Sequence, residues 1–267
     1  MRHCPSIGLG LGLSLRSLGR GFTGLLDTYP DAVGAYSLKA LSAAWVGQAV
    51  LLVNRVVDDV DLAVTQTDIT DGTLVTFSSG GDVAVKIVYD QSGSATSNNL
   101  FPDSPAKRRL IVDSGVLVTE GGEPAIAGNI YHYNIGGGGI SLTTDFSILY
   151  LANVNNTSVL LGGNVDAPRI RSLGNLLEVV NSNNDEVNFT GLDNSPTLHT
   201  YNGSRVLTGV YRNGSSIDVT IAGQTAAIGP LTLSGTFAFD QVFARSNDVN
   251  PMTGKFQEMV IWPSDIR

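Results

Sequence analysis

Val83, Val85, Ile87 and Tyr89 alternate with Asp82, Ala84, Lys86 and Val88, a period of two that predicts a half-buried strand with the first four on its core face. The run stops at Asp90-Gln91-Ser92-Gly93. Asp and Ser oxygens bond nearby backbone amides and Gly accepts a positive φ, so Tyr89 to Gly93 predict a structural turn in which Asp90 bonds amides of its own turn. The same patterning, bounded by Gly, Asp, Asn or Ser, predicts strands at 49 to 57, 61 to 65, 73 to 77, 83 to 89, 109 to 112 and 116 to 118. It continues at 146 to 152, 158 to 161, 176 to 180, 186 to 190, 197 to 201, 205 to 212, 216 to 221, 236 to 244 and 255 to 262. Asn202-Gly203 and Asn213-Gly214 predict tight hairpins. Leu38, Leu41 and Trp45 fall at helical spacing, so one short helix is expected over 37 to 44, stopped before Gly47.

About fifteen strands with almost no helix imply an all-β chain of two stacked antiparallel sheets, a jelly-roll sandwich around one core. Ile7 to Leu15 read differently. Leu9, Leu11, Leu13 and Leu15 share one side of an extended segment, and Gly8, Gly10, Gly12 and Ser14 the other. A signal peptide is disfavoured, because alternate glycines break a helical apolar region and Arg16 and Arg20 stand where small residues would precede cleavage. A greasy strand with a bare face needs cover. Residues 1 to 26 are therefore expected to form an arm docking on a neighbouring subunit, and residues 27 to 267 the sandwich.

Ala35-Tyr36-Ser37-Leu38, Gly47 after Trp45, the apolar run from Val50 to Arg55 followed by Asp58-Asp59, and Tyr89-Asp90-Gln91-Ser92-Gly93 form a larger pattern. From about Asp27 to Ile126 it resembles the opening of the catalytic domain of the α-L-arabinofuranosidase B family, as that domain recurs in tailed-bacteriophage proteins. Gly254 to Trp262 resemble the closing strand of a laminin-G or lectin-like sandwich. The resemblance implies a concanavalin A-like fold and a virion protein of tail, fibre or decoration type on the particle surface. It also implies where a hydrolase would keep its carboxyls, which in a retaining glycosidase lie about 5 Å apart. The family's acid is an Asp in a Gly-Asp-Asn loop, and Asp248 in Ser246-Asn247-Asp248-Val249-Asn250 takes that place. Its nucleophile is a Glu in a Met-Glu-Asn strand; Glu178 is the candidate here but lacks the flanking Met and Asn. No arabinofuranosidase turnover is therefore expected. Asn247, Asp248 and Asn250 are then expected to contact carbohydrate rather than to cleave it.

Composition narrows the partners. A net charge of -8 and a single three-residue basic run, Lys107-Arg108-Arg109, argue against nucleic acid. That run is expected to be a solvated loop. Cys4 alone allows no intrachain disulfide, and His3, His132 and His199 lack metal-ligand spacing. Asp58, Asp59 and Asp61 lack a calcium-loop pattern, and Gly136 to Gly139 lack the Lys-Ser/Thr of a phosphate loop. No cofactor or metal is expected. No apolar run approaches the roughly twenty residues of a membrane helix. The expected partners are other virion proteins through the arm, further copies of the chain, and host-surface glycans. Two alternatives stay open: a hydrolase, marked by a second carboxylate facing Asp248, and an architectural decoration protein, marked by the lack of an aromatic-lined pocket. Aromatic residues make up only 7% of the chain, which leans toward architecture.

Overall fold

The alternation that begins at Val83 does not run unbroken to Tyr89. In the computed structural model, which describes residues 22–94, 97–128, 131–154, 158–163, 168–173, 176–181, 186–189, 205–214, 216–221, 224–227, 235–244 and 251–267, the Val83–Val88 strand bulges at Lys86. Val53 pairs with Val85 and Leu52 with Ile87, so Lys86 is an extra residue. The bulge reverses the phase. Val83, Val85 and Val88 are fully buried, while Ile87 and Tyr89, expected in the core, are only half-buried.

Every ladder among the described residues is antiparallel, in a seven-stranded and a twelve-stranded sheet with two small two-stranded sheets. In the smaller sheet Gly34–Ser37, Lys255–Trp262, Phe146–Asn153, Arg205–Asn213, Ser216–Ile221 and Gln224–Ala227 lie side by side, and Ile126–Ala127 joins Lys255–Trp262. The larger sheet contains Val60–Thr65, Ala49–Arg55, Val83–Val88, Leu100–Phe101, Tyr133–Ile135 and Gln241–Val242 in that spatial order, then continues through Ser158–Gly162 to Glu186–Phe189. Their facing sides share one core. Tyr36, Ile148, Tyr150, Val210, Phe256 and Met259 from the smaller sheet share it with Leu51, Val85, Tyr133, Ile170 and Val242 from the larger. The chain is thus an antiparallel β-sandwich.

The outer face of the smaller sheet carries a second apolar cluster. Leu26, Ala32 and Leu41 cover Ala35, Leu149, Tyr211, Val260 and Trp262 there. Leu25–Thr28 is a helical turn, and the Leu26 N–H donates to the Leu41 carbonyl at 2.9 Å. Leu26, the last residue of the expected arm, is thus buried against the smaller sheet. Leu9, Leu11, Leu13 and Leu15 lie outside the described residues.

Two segments differ from expectation in type. The helix expected over 37 to 44 is a strand, an irregular stretch and a 3₁₀ turn at Ala43–Trp45, because backbone groups a helix would pair internally are taken by Gln91. Thr73–Ser78, expected as a strand, is a helix that buries Leu74 and Ser78, a spacing of four. Before it, Gln66–Thr70 is a helical turn started by a capping box in which Thr65 and Asp68 bond each other's backbone N–H. The strand expected at 236 to 244 divides. Phe237–Phe239 pairs with Ile140–Leu142, and after Asp240 the chain enters the larger sheet as Gln241–Val242. The Asn213-Gly214 hairpin forms, with Asn213 opposite Ser216 and Gly214 at φ +60°. The strand expected at 197 to 201 and Asn202-Gly203 lie outside the described residues.

Candidate functional site

The turn after Val83–Val88 ties distant segments together. Asp90 Oδ1 accepts from the N–H groups of Ser92 and of Ala35, both at 2.9 Å, and Oδ2 accepts from the Ser92 hydroxyl at 3.0 Å. Gln91, buried, accepts from the Leu41 N–H at 2.9 Å and donates to the Ser37 and Lys39 carbonyls. Gly93 sits at φ +72°. Tyr89 N–H donates to the Val50 carbonyl at 3.1 Å. The side chain of Gln91 is spent on backbone, and that of Asp90 on backbone and the Ser92 hydroxyl.

Glu178 lies on Leu176–Val180, buried, with Oε1 2.5 Å from Arg169 Nε and Oε2 2.6 Å from Arg171 Nη2. Asn247, Asp248 and Asn250 lie outside the described residues. The chain on either side of residues 245–250 is held by Arg109. Expected on a solvated loop, Arg109 is instead fully buried, donating to the Met252 and Tyr131 carbonyls with its guanidinium 4.4 Å from the Phe243 ring. It lies there because Arg109–Asp113 adds to the buried part of the larger sheet. Asp58 pairs with Arg55, while Asp59 and Asp61 both accept from the Asn54 amide, an arrangement that braces a hairpin. Among the described residues no three His, Cys, Asp or Glu side chains group as metal ligands.

A different set of polar side chains converges on the larger sheet. Leu100–Phe101, Tyr133–Ile135 and Gln241–Val242 are adjacent there, with Asn134 opposite both Phe101 and Gln241. Tyr133 and Ile135 point to the core, so the row Phe101, Asn134 and Gln241 lies on the outer face. The Tyr133 hydroxyl fixes the middle strand by donating to the Val85 carbonyl at 2.6 Å. At the Asn134 and Gln241 end of the row, with Phe101 beside it, is a cleft of about 560 Å³, lined by Asp103, His132, Asn134, Gly138, Asp240 and Gln241. The glycine run at 136–139 makes one wall. Gly136 N–H donates to the Asn99 carbonyl, and at Gly139, φ +86°, a Cβ would lie 2.5 Å from the Phe239 carbonyl oxygen.

Asp103 is the electrostatic centre of the cleft. His132 Nε2 and Lys107 Nζ are each 3.1 Å from Oδ2, and the Asn134 amide donates to Oδ1. Partial burial works to raise its pKa, but the hydrogen bonds from Asn134 and Lys107 and the nearby His132 together hold it below the ordinary carboxylate value. Gln241 is 4% exposed, and its Oε1 has no hydrogen-bond partner among the described residues. Phe101, 41% exposed, presents an aromatic surface beside Asn134. Carboxylates, amides and an adjacent ring match the hydroxyl edges and apolar faces of a sugar. A carboxyl held in its ionised form by three partners is a poor general acid.

Residue order hid this site. Asp103, His132, Asn134, Asp240 and Gln241 come from three distant segments, brought together by strand pairing and by the contacts of His132 and Asn134 with Asp103.

No protein-family profile matches the chain, and no curated protein sequence matches it. Among solved structures, an arabinofuranosidase complexed with arabinofuranosyl-α-1,2-xylobiose is similar over 91% of this chain and 62% of its own, with TM-score 0.59 and 17% identity. A GH54 α-L-arabinofuranosidase soaked with a cyclic sulfate inhibitor is similar over the same shares, with TM-score 0.57 and 15% identity. The chain thus spans about 62% of the length of these enzymes. At these identities the likeness is one of fold.

Proposed function

We propose that this chain is a glycan-recognition sandwich that binds without hydrolysing, displayed on the surface of a tailed-phage particle. The observation that carries the binding reading is the Phe101, Asn134 and Gln241 row, with the buried Gln241 Oε1 left for a ligand hydroxyl. Leaving that acceptor unpaired costs free energy that a sugar hydroxyl, or water in its absence, recovers. Asp103 and Asp240 supply further acceptors at the same cleft.

The non-hydrolytic part rests on the carboxyls. Asp103 is held ionised, and Glu178 is engaged by two arginines rather than directed at the cleft. Asn247, Asp248 and Asn250 are proposed as additional sugar contacts, since they follow Gln241–Val242 closely in the chain. The phage setting is supported by the resemblance of residues 27 to 126, and attachment to other virion proteins by the composition of the arm. Glycan-array binding paired with an aryl-arabinofuranoside hydrolysis assay tests the reading. Binding without turnover supports it, whereas turnover, or an array with no signal, overturns it.

A further inference from the structure

The alternating stretch from Ile7 to Leu15 plays no part in the glycan cleft, and the fold leaves a strand edge that suits it. Val60–Thr65 ends the twelve-stranded sheet and, among the described residues, pairs only with Ala49–Arg55. Its other side therefore offers backbone donors and acceptors to an added strand. Val60, Asp61 and Ala63 are exposed. Beside the strand, Leu62, Phe77, Gly72 and Thr76 line a groove of about 410 Å³.

Charge favours the arm as occupant. Asp58, Asp59, Asp61, Asp68 and Asp71 surround this edge and outnumber the nearby cations Arg55, Lys86 and Arg108. Residues 1–21 carry Arg2, Arg16 and Arg20 and no carboxylate. The side-chain pattern fits as well. Leucines on the Leu62 side would meet the groove, while glycines beside Asp61 would leave room for its ion pair with Lys86 at 2.5 Å.

Direction decides which copy supplies the strand. Gly24 lies against Leu41, and the adjoining Ala40 N–H donates to Gln66 Oε1 at 2.9 Å, which puts Gly24 near the Thr65 end of the edge. Laid back along its own edge, the 7–15 stretch would run parallel to Val60–Thr65, the weaker pairing. On a copy related by a twofold axis perpendicular to the strand it would run antiparallel, and each copy would give and receive one arm. We propose that residues 7–15 add as an antiparallel strand to the Val60–Thr65 edge of a second copy, closing a dimer by reciprocal exchange.

Two full-length proteins in a Cys4→Ser background test this, one carrying Ala63→Cys and the other, in separate preparations, Gly8→Cys, Gly10→Cys or Gly12→Cys. Mixed and oxidised, at least one combination is expected to give a disulfide-linked pair of unlike chains. Asp59→Lys is expected to raise the dimer dissociation constant at least tenfold by sedimentation. A monomeric wild-type protein, no mixed disulfide, or an unchanged dissociation constant in Asp59→Lys would each overturn the proposal.

Discussion

Asp90 Oδ1 accepts the backbone N–H of Ala35 at 2.9 Å, joining residues 55 positions apart in the chain. Through this bond the turn after Val83–Val88 holds Gly34–Ser37, the edge of the opposite sheet. One carboxylate thus links the two layers of the sandwich.

Asp90→Ala leaves the Ala35 and Ser92 amides without that acceptor, and about 1 to 3 kcal/mol of stability should be lost. Urea unfolding followed by tryptophan fluorescence measures it. A midpoint equal to wild type would remove Asp90 from the structural account.

Glu178→Gln tests whether that residue serves as a buried counterion. Removing its charge leaves Arg169 and Arg171 partly desolvated without their shared carboxylate, with an expected cost of about 3 to 5 kcal/mol. Thermal and denaturant unfolding should both show it. A variant as stable as wild type would return Glu178 to consideration as a reactive group.

Much of this fold is legible in the sequence, because the Arg205–Asn213 and Ser216–Ile221 hairpin is specified locally by alternation and Asn213-Gly214. The Lys86 bulge is not, since it depends on the pairing with Ala49–Arg55. Thr73–Ser78 misleads because Leu74, Val75 and Phe77 are as compatible with a short strand as with a helix until Asp71 bonds the Thr73 amide. The Tyr89 to Gly93 motif stands out in the sequence, yet Gln91's role in pairing the 37–41 backbone needs the tertiary structure. The cleft was illegible for the same reason. Asn134 and Gln241 are separated by more than a hundred residues and meet only through strand register.

Acid should act on the cleft through Asp103. Its folded pKa lies below 3.8, so its contribution is present above the unfolded value and is lost as pH falls through the folded one. The cleft should therefore keep its charge and its binding at pH 5 and lose them only below the ordinary carboxylate range. A carbon-detected titration of the Asp103 carboxyl gives the midpoint. A value at or above 3.8 would show that Lys107, Asn134 and His132 do not hold the ionised form.

The most direct test of glycan recognition at the cleft is calorimetric titration of a glycan selected on the array into wild type, Gln241→Leu and Phe101→Ala. Loss of the Gln241 acceptor should weaken binding about tenfold or more, and loss of the Phe101 ring by about five- to tenfold, corresponding to roughly 1 to 1.5 kcal/mol. Both variants should keep the wild-type unfolding free energy within about 1 kcal/mol, keeping binding loss separate from misfolding. Wild-type affinity in both folded variants would contradict the assignment of this cleft as the glycan site.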